Sequence, residues 1–373
     1  MDPIVRRLAT LIEAHGWQTD FQQALDHAAA RQVVQIAHIR TLDDYLHYID
    51  AMVRWAPRET GDSRLVHDKL VEFHFILDQP PLRALQSPLM PSGEPQVLTP
   101  LSQWMQEYAV AWGAYLDTPP SAVHIDSFRT NPAFRWHDYM PPPSGYQTFN
   151  QFFARHVRPG RRPVADVSDD HVVVSPADAN FIGAWPIADD STIHGDAHPL
   201  DVKGLRWSIE QLLDGSEYAP RFAGGVFTHS ALRTFHYHRW HAPVRGTVLE
   251  ARVVQGQVWL DVTAREVELE TGKRNVLCAL EGTGYQFVQT RGLVVLDSPA
   301  GLVACLPVGM AQVSSVVITA EVGSCIRKGE ELGYFQFGGS DFVMVFERRA
   351  ELALFCAPEQ HFLQGAAVGH CRS

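Results

Sequence analysis

Apolar residues along this chain follow two different rhythms. Near the start, Ile4, Val5, Leu8, Leu11 and Ile12 fall on one face of a helix. Only Arg6 and Arg7 add basic charge there, so the face reads as core-facing rather than membrane-bound. Thr41 and Asp44 form a capping-box pattern ahead of Leu42, Tyr45, Leu46, Ile49, Met52 and Val53, and Pro57 ends that helix. A further helix is predicted from Thr99 to Leu116, with a threonine cap and Pro100 in its first turn. Pro141-Pro142-Pro143-Ser144-Gly145 then reads as a linker. Beyond it the helical period gives way to short β-forming runs between glycine turns: Val172 to Val174, Gly246 to Leu249 and Val254 to Val262. One helix is predicted there, at Ser208 to Leu213. The pattern predicts an α+β chain, with a helical accessory domain over 1–140 and a β-rich domain over 145–373.

A length of 373 residues, 46% hydrophobic and 20% charged, suits two cores of ordinary globular composition. The net charge of -11 argues against a nucleic-acid partner and gives no attraction to anionic lipid. Five scattered cysteines without C-x-x-C spacing fit reduced thiols better than a disulfide framework or a zinc site. The N-terminal residues lack a signal-peptide pattern, and no stretch reaches the roughly 20 apolar residues of a membrane span. The expectation is a soluble cytoplasmic protein.

Three segments carry candidate chemistry. Gly338 and Gly339 give backbone freedom ahead of Ser340, whose hydroxyl could approach the Gly339 carbonyl carbon; a plain tight turn is the competing reading. His236, His238 and His241 lie within six residues. They invite zinc, a buried structural cluster or acid/base work, but no fourth ligand stands at a recognisable spacing, and no metal ligand is assigned. Asp178, in Ser175-Pro176-Ala177-Asp178, is either a reacting carboxylate or a turn aspartate bonded to nearby amides. Segments 242–248 and 322–333 also read like halves of a biotinyl-carrier hammerhead, without its modifiable lysine.

Taken together, five ordered motifs resemble the phosphatidylserine decarboxylase family of pyruvoyl enzymes over about residues 145–350. They are Tyr146 to Arg155 with Arg158 to Pro163; Ser175 to Asp178, where Ala179 replaces a final glycine; Lys203-Gly204 with Ser208 to Leu213; His238-Arg239-Trp240-His241; and Phe337 to Ser340. The resemblance implies that Asp178, His241 and Ser340 form a self-cleavage triad. The chain would break between Gly339 and Ser340 into a large β chain and a small α chain. Ser340 would become a covalent pyruvoyl group, with no need for pyridoxal phosphate, and His238 would act in decarboxylation. The helical first part and Trp240 with Ala242 look closer to a soluble subgroup that includes the fungal L-tryptophan decarboxylase of psilocybin biosynthesis. That likeness implies a lyase acting on a free, aromatic L-amino acid, with Phe337 and Trp240 as weaker substrate-binding candidates. Phosphatidylserine is the alternative substrate.

Overall fold

The computed structural model describes the chain except residues 62, 90–96, 194–206, 270–271, 280–284, 310–314, 338–339 and 373. The Lys203-Gly204 motif and both glycines before Ser340 therefore lie outside the described residues.

Helices occupy the first part: α1 (Pro3–His15), α2 (Gln18–Ala30), α3 (Leu42–Met52), α4 (Leu65–Leu77), α5 (Pro80–Arg83), α6 (Pro100–Leu116) and α7 (Asp126–Arg129). Two short helices follow, α8 (Phe149–Phe153) and α9 (Ile209–Leu212). The predicted signals act as read. Thr41 and Asp44 close a reciprocal capping box on α3 and Thr99 caps α6 with Pro100 behind it; the structure adds a box of Ser208 and Gln211 at the start of α9, which the sequence pattern did not single out. Ile4, Val5, Leu8 and Ile12 of α1 are buried, as a core-facing helix requires. Long side chains of α6 tie the helices together: Trp104 Nε1 donates to the Ile4 carbonyl at 2.9 Å and Tyr108 Oη to that of Ile49 at 2.7 Å.

The strands begin with β1 (Val172–Val174), β2 (Ala179–Pro186), β3 (Val226–Leu232), β4 (Arg239–His241), β5 (Gly246–Val254), β6 (Val262–Leu269), β7 (Gly272–Ala279) and β8 (Arg291–Ser298). They continue with β9 (Gly301–Gly309), β10 (Val316–Ile318), β11 (Cys325–Ile326), β12 (Glu331–Phe335), β13 (Ser340–Phe346), β14 (Ala353–Leu354), β15 (His361–Phe362) and β16 (Ala367–His370). An eight-stranded antiparallel sheet, ordered β11-β5-β8-β9-β13-β3-β2-β15, dominates. Smaller sheets are β1-β16-β14, β10-β12-β4 and the hairpin β6-β7. The two hammerhead-like segments meet where β5 pairs with β11.

One predicted strand is corrected. Between Val254 and Val262 the chain leaves the sheet, because its polar groups are taken by the 288–290 turn. Gln257 bridges Gln289, and Gln289 Nε2 donates to the Trp259 carbonyl at 2.6 Å.

Alternation along β13 divides the interior. Phe342, Met344 and Phe346 enter one apolar cluster; Val343 and Val345 enter another, with Phe227, Leu306 and Phe287. The first cluster is continuous from Val5, Trp104 and Trp112 through Phe149 and Phe153 to Trp240, Phe335 and Phe337. It crosses the proline linker. Shared core of this kind makes a single cooperative transition the expected behaviour. Trp104→Ala should lower stability by about 3–5 kcal/mol and shift one urea-unfolding transition; two separated transitions would show that the helical and β-rich parts unfold independently.

Candidate active site

Ser340 opens β13, the strand held between β9 and β3, where it lies opposite Gly309 and Leu232. It shares a face with Phe342, toward the first core, and is 0% exposed. Its Oγ has no hydrogen-bond partner among the described residues. The approach is fixed from behind: the Phe337 amide donates to Asn150 Oδ1 at 3.0 Å, and the Phe337 ring packs edge-on against Trp112, Phe149 and Phe153. Phe337 is thus gripped by two helices, α6 and α8.

His241 lies on β4 and His238 immediately before it; β4 pairs with β12, the strand leading to Phe337. The Phe335 amide donates to the His238 carbonyl at 2.9 Å, so the His238 backbone is tied to the segment that precedes Ser340. Gly333 has no alternative in this pairing, since a Cβ there would lie 2.4 Å from Trp240 Cζ2. Trp240 itself is fully buried beside Phe335 and Phe342.

His238 is 0% exposed, and neither ring nitrogen has a hydrogen-bond partner among the described residues. Its ring stacks on Phe153 at 3.8 Å. Burial first, then the charge of Arg155 and the nearby His236, push its pKa well below the ordinary value, so the imidazole is neutral. Arg155 is itself buried, at 1% exposure, and no carboxylate pairs with it among the described residues. It donates to the carbonyls of Phe235 and His236 at 3.0 Å and to that of Phe152 at 3.3 Å, with its guanidinium 4.1 Å over Tyr139. One cation therefore braces the backbone on both sides of the His238–Phe153 stack and also disfavours a second positive charge there.

His241 is held differently. Its Nδ1 donates to the Gly329 carbonyl at 2.9 Å, which leaves Nε2 as the basic nitrogen, facing the Tyr237 hydroxyl at 3.1 Å. Gly329 presents that carbonyl with φ +80°, and a Cβ would stand 2.4 Å from Val164. Burial lowers the His241 pKa, and the neighbouring Asp178 charge works in the other direction. Asp178 sits in the turn before β2, whose Pro176 carbonyl accepts from the His241 amide at 2.8 Å. Its carboxylate is bidentate to buried Arg162, at 2.8 and 2.6 Å, and accepts from the Gln364 amide at 2.8 Å. Burial opposes the Arg162 charge, but the Asp178 bonds hold its pKa above the usual value.

Asp178 and His241 lie close together beside β4, and Ser340 stands on β13 between β9 and β3; among the described residues no hydrogen bond joins the three side chains. The sequence pattern singled out these side chains but not what holds them. Arg155 and Arg162 stood in the entry segment without a role, since their partners lie up to 81 residues away. The three histidines of the 236–241 cluster do not converge on a point. His236 accepts from the Arg233 amide and packs on His361, and its pKa is lowered to about 3, by burial first and then by the nearby His361. Among the described residues the side chains that do come together as a possible metal set are Asp169, His171 and His370, all exposed. A cleft of about 630 Å³ opens beside Asn150, lined by Tyr146, Arg155, Arg239, Tyr334 and Gln336 among others.

The family model for phosphatidylserine decarboxylase matches residues 149–370. The chain belongs to the phosphatidylserine decarboxylase family. Relatives include phosphatidylserine decarboxylase proenzyme 3 of Schizosaccharomyces pombe, 32% identical over 63% of this chain and 22% of that protein. Decarboxylase iboD of Amanita muscaria is 30% identical over 64% of this chain and 75% of that one. The proenzyme of Fusobacterium nucleatum is 28% identical over 66% and 73% respectively. The chain therefore spans only about a fifth of the fission-yeast relative's length. The family match starts at α8, so the helices before it lie outside the matched region. Among the described residues, no helix is long and apolar enough to cross a membrane.

Two outcomes follow for this family member. Arg162→Met leaves the buried Asp178 carboxylate uncompensated and should cost about 3–5 kcal/mol in urea denaturation. Lowering pH should also destabilise the fold. Buried His236 and His238 resist protonation when folded but take a proton near 6.5 when unfolded. Their contribution is complete above that value and is lost as pH falls below it, by at most about 1.4 kcal/mol per pH unit for each histidine. Thermal melts between about pH 7.5 and pH 5 should show the decline, and His238→Gln should flatten it.

Proposed function

We propose that the chain cuts itself between Gly339 and Ser340 and then works as a pyruvoyl-dependent decarboxylase of a free, aromatic L-amino acid, in the cytoplasm and without a membrane. The observation that carries the reading is the Ser340 hydroxyl, fully buried and without a hydrogen-bond partner among the described residues, at the first position of a strand locked on both sides. His238 keeps two ring nitrogens without a hydrogen-bond partner among the described residues, in an apolar stack on Phe153. Buried polar atoms without partners are costly and call for an explanation. A reacting serine and a proton-transferring histidine supply one. A pyruvoyl group made from Ser340 would provide the electron sink for loss of carbon dioxide, without pyridoxal phosphate.

In this reading His241 Nε2, with its ring oriented by Gly329, takes the proton of the Ser340 hydroxyl, and the Asp178 charge favours the imidazolium that results. Neutral His238 then serves the decarboxylation, binding the carboxylate or returning the proton to the substrate carbon. Phe337 and Trp240 are the aromatic side chains assigned to the substrate, and the cleft of about 630 Å³ beside Asn150 has a volume suited to a free amino acid. The names of most relatives favour a second reading, phosphatidylserine as substrate.

Mass spectrometry of the purified protein after incubation with pooled amino acids and phosphatidylserine vesicles separates the two. The expected result is a blocked small chain beginning at residue 340 and an amine derived from an aromatic amino acid. Phosphatidylethanolamine as product would install the second reading. An uncut chain that turns over amino acids only with added pyridoxal phosphate would end both. Ser340→Ala should abolish cleavage and activity, whereas His238→Gln should still be cut but turn over about 10²–10⁴-fold more slowly.

A further inference from the structure

Asp341, the second residue after the proposed cut, turns its side chain to the opposite face of the sheet from Ser340. There it meets two buried polar side chains. His229 Nε2, from β3, lies 2.7 Å from Asp341 Oδ2, and Gln286 Nε2, from the turn before β8, lies 3.0 Å from the same oxygen. His229 and Gln286 are themselves 3.0 Å apart. Exposure is 1% for His229, 0% for Gln286 and 1% for Asp341. Below them on the same face the sheet is apolar: Val343 and Val345 of β13, Phe227 of β3 and Leu306 of β9 fill the second core. Burying a carboxylate and an imidazole against such a wall is rarely the most stable solution, because well-packed apolar residues of similar volume do as well or better.

We propose that His229, Gln286 and Asp341 form an anchor for the first residues of the small chain, positioning the group carried at 340 after the backbone has been cut. The proposal rests on the self-cleavage reading above. Before cutting, residue 340 is held by the covalent chain as well as by the ladder to Gly309 and Leu232. Afterwards it is a chain terminus, and termini fray unless tied down. The anchor grips the next residue from two other segments, so the terminus keeps its register. Because the side chains of 340 and 341 alternate, the hold comes from the second core and leaves the first-core face free for substrate. These three are positioning residues: among the described contacts they face away from His238 and His241.

The test uses the full chain as purified, compared with Asp341→Asn, His229→Leu, His229→Gln and Gln286→Ala. Gel and mass analysis of the unmodified protein come first; if it is not cut at 339/340, the self-cleavage reading fails and the anchor with it. With the cut present, hydrogen exchange by mass spectrometry reads residues 341–343, and kcat and KM are measured on the amino acid that the pooled assay identifies. Expected for Asp341→Asn and His229→Leu are at least about tenfold faster exchange at the small chain's start and unchanged exchange elsewhere. Their kcat should fall about 10–100-fold, with KM within about threefold. His229→Gln, which keeps a donor, should recover most of the loss. Gln286→Ala removes one donor from a turn and provides the reading should the strand variants fail to fold. Cut variants that match the parent in local exchange and kcat would overturn the anchor while leaving the self-cleavage reading intact.

Discussion

Strand β13 is bonded along its whole length on both sides, from Ser340 opposite Gly309 and Leu232 to Phe346 opposite Val303 and Val226. A slip of one residue would exchange the two faces, sending Phe342, Met344 and Phe346 into the valine-lined second core and putting Asp341 where Ser340 stands. Both cores therefore fix the same register. Everything else at the site takes its position from that constraint. Phe337 is fastened by Asn150 three residues upstream, β12 runs back from it, and β4 brings His238 and His241 because it pairs with β12.

A second constraint is electrostatic. Within one region the fold buries Arg155, Arg162, His236 and His238, and it treats them unequally. Arg162 has a bidentate carboxylate and an additional bond to Asp138. Arg155 has carbonyls and aromatic faces instead, so its charge is not cancelled locally and presses on His238. The neutral state of His238 is thus enforced by burial and by a fixed cation, not by a hydrogen bond. Among the described residues its nitrogens stay unpaired, whereas His241 is committed to one tautomer by the Gly329 carbonyl.

How much of this could be read in the residues follows from range. The capping box at Thr41, the Thr99-Pro100 start and the buried stripe of α1 are local patterns, and they were legible. The α+β order was legible too, because the apolar period changes once. The run from Val254 to Val262 misled, since apolar β-formers look alike whether a ladder or a turn claims their polar groups. At the site, the motif residues stood out as types in short segments. Their supports did not: Arg162 for Asp178, Gly329 for His241, Phe153 and Arg155 for His238, and His229 with Gln286 for Asp341. Each support is brought in by strand order or by helix-to-sheet packing, and neither is encoded in the spacing near the motif.

Topology also decides what cutting would do to the molecule. Residues from 340 onward supply β13 in the middle of the large sheet, β15 at its edge, and β14 and β16 in the small sheet with β1. Gln364, in the same stretch, donates to Asp178, and the amides of Ser175 and Gly365 exchange bonds with the carbonyls of Ala366 and Ser175. A break before Ser340 would therefore free a covalent end without freeing a chain, because the stretch that follows is woven through two sheets and the main core. The cost of the cut would fall on the few residues around 340, where one bond would be lost and the local backbone gain freedom. In a fold of this kind the backbone can be opened at its most central strand, provided that strand is already held from both sides.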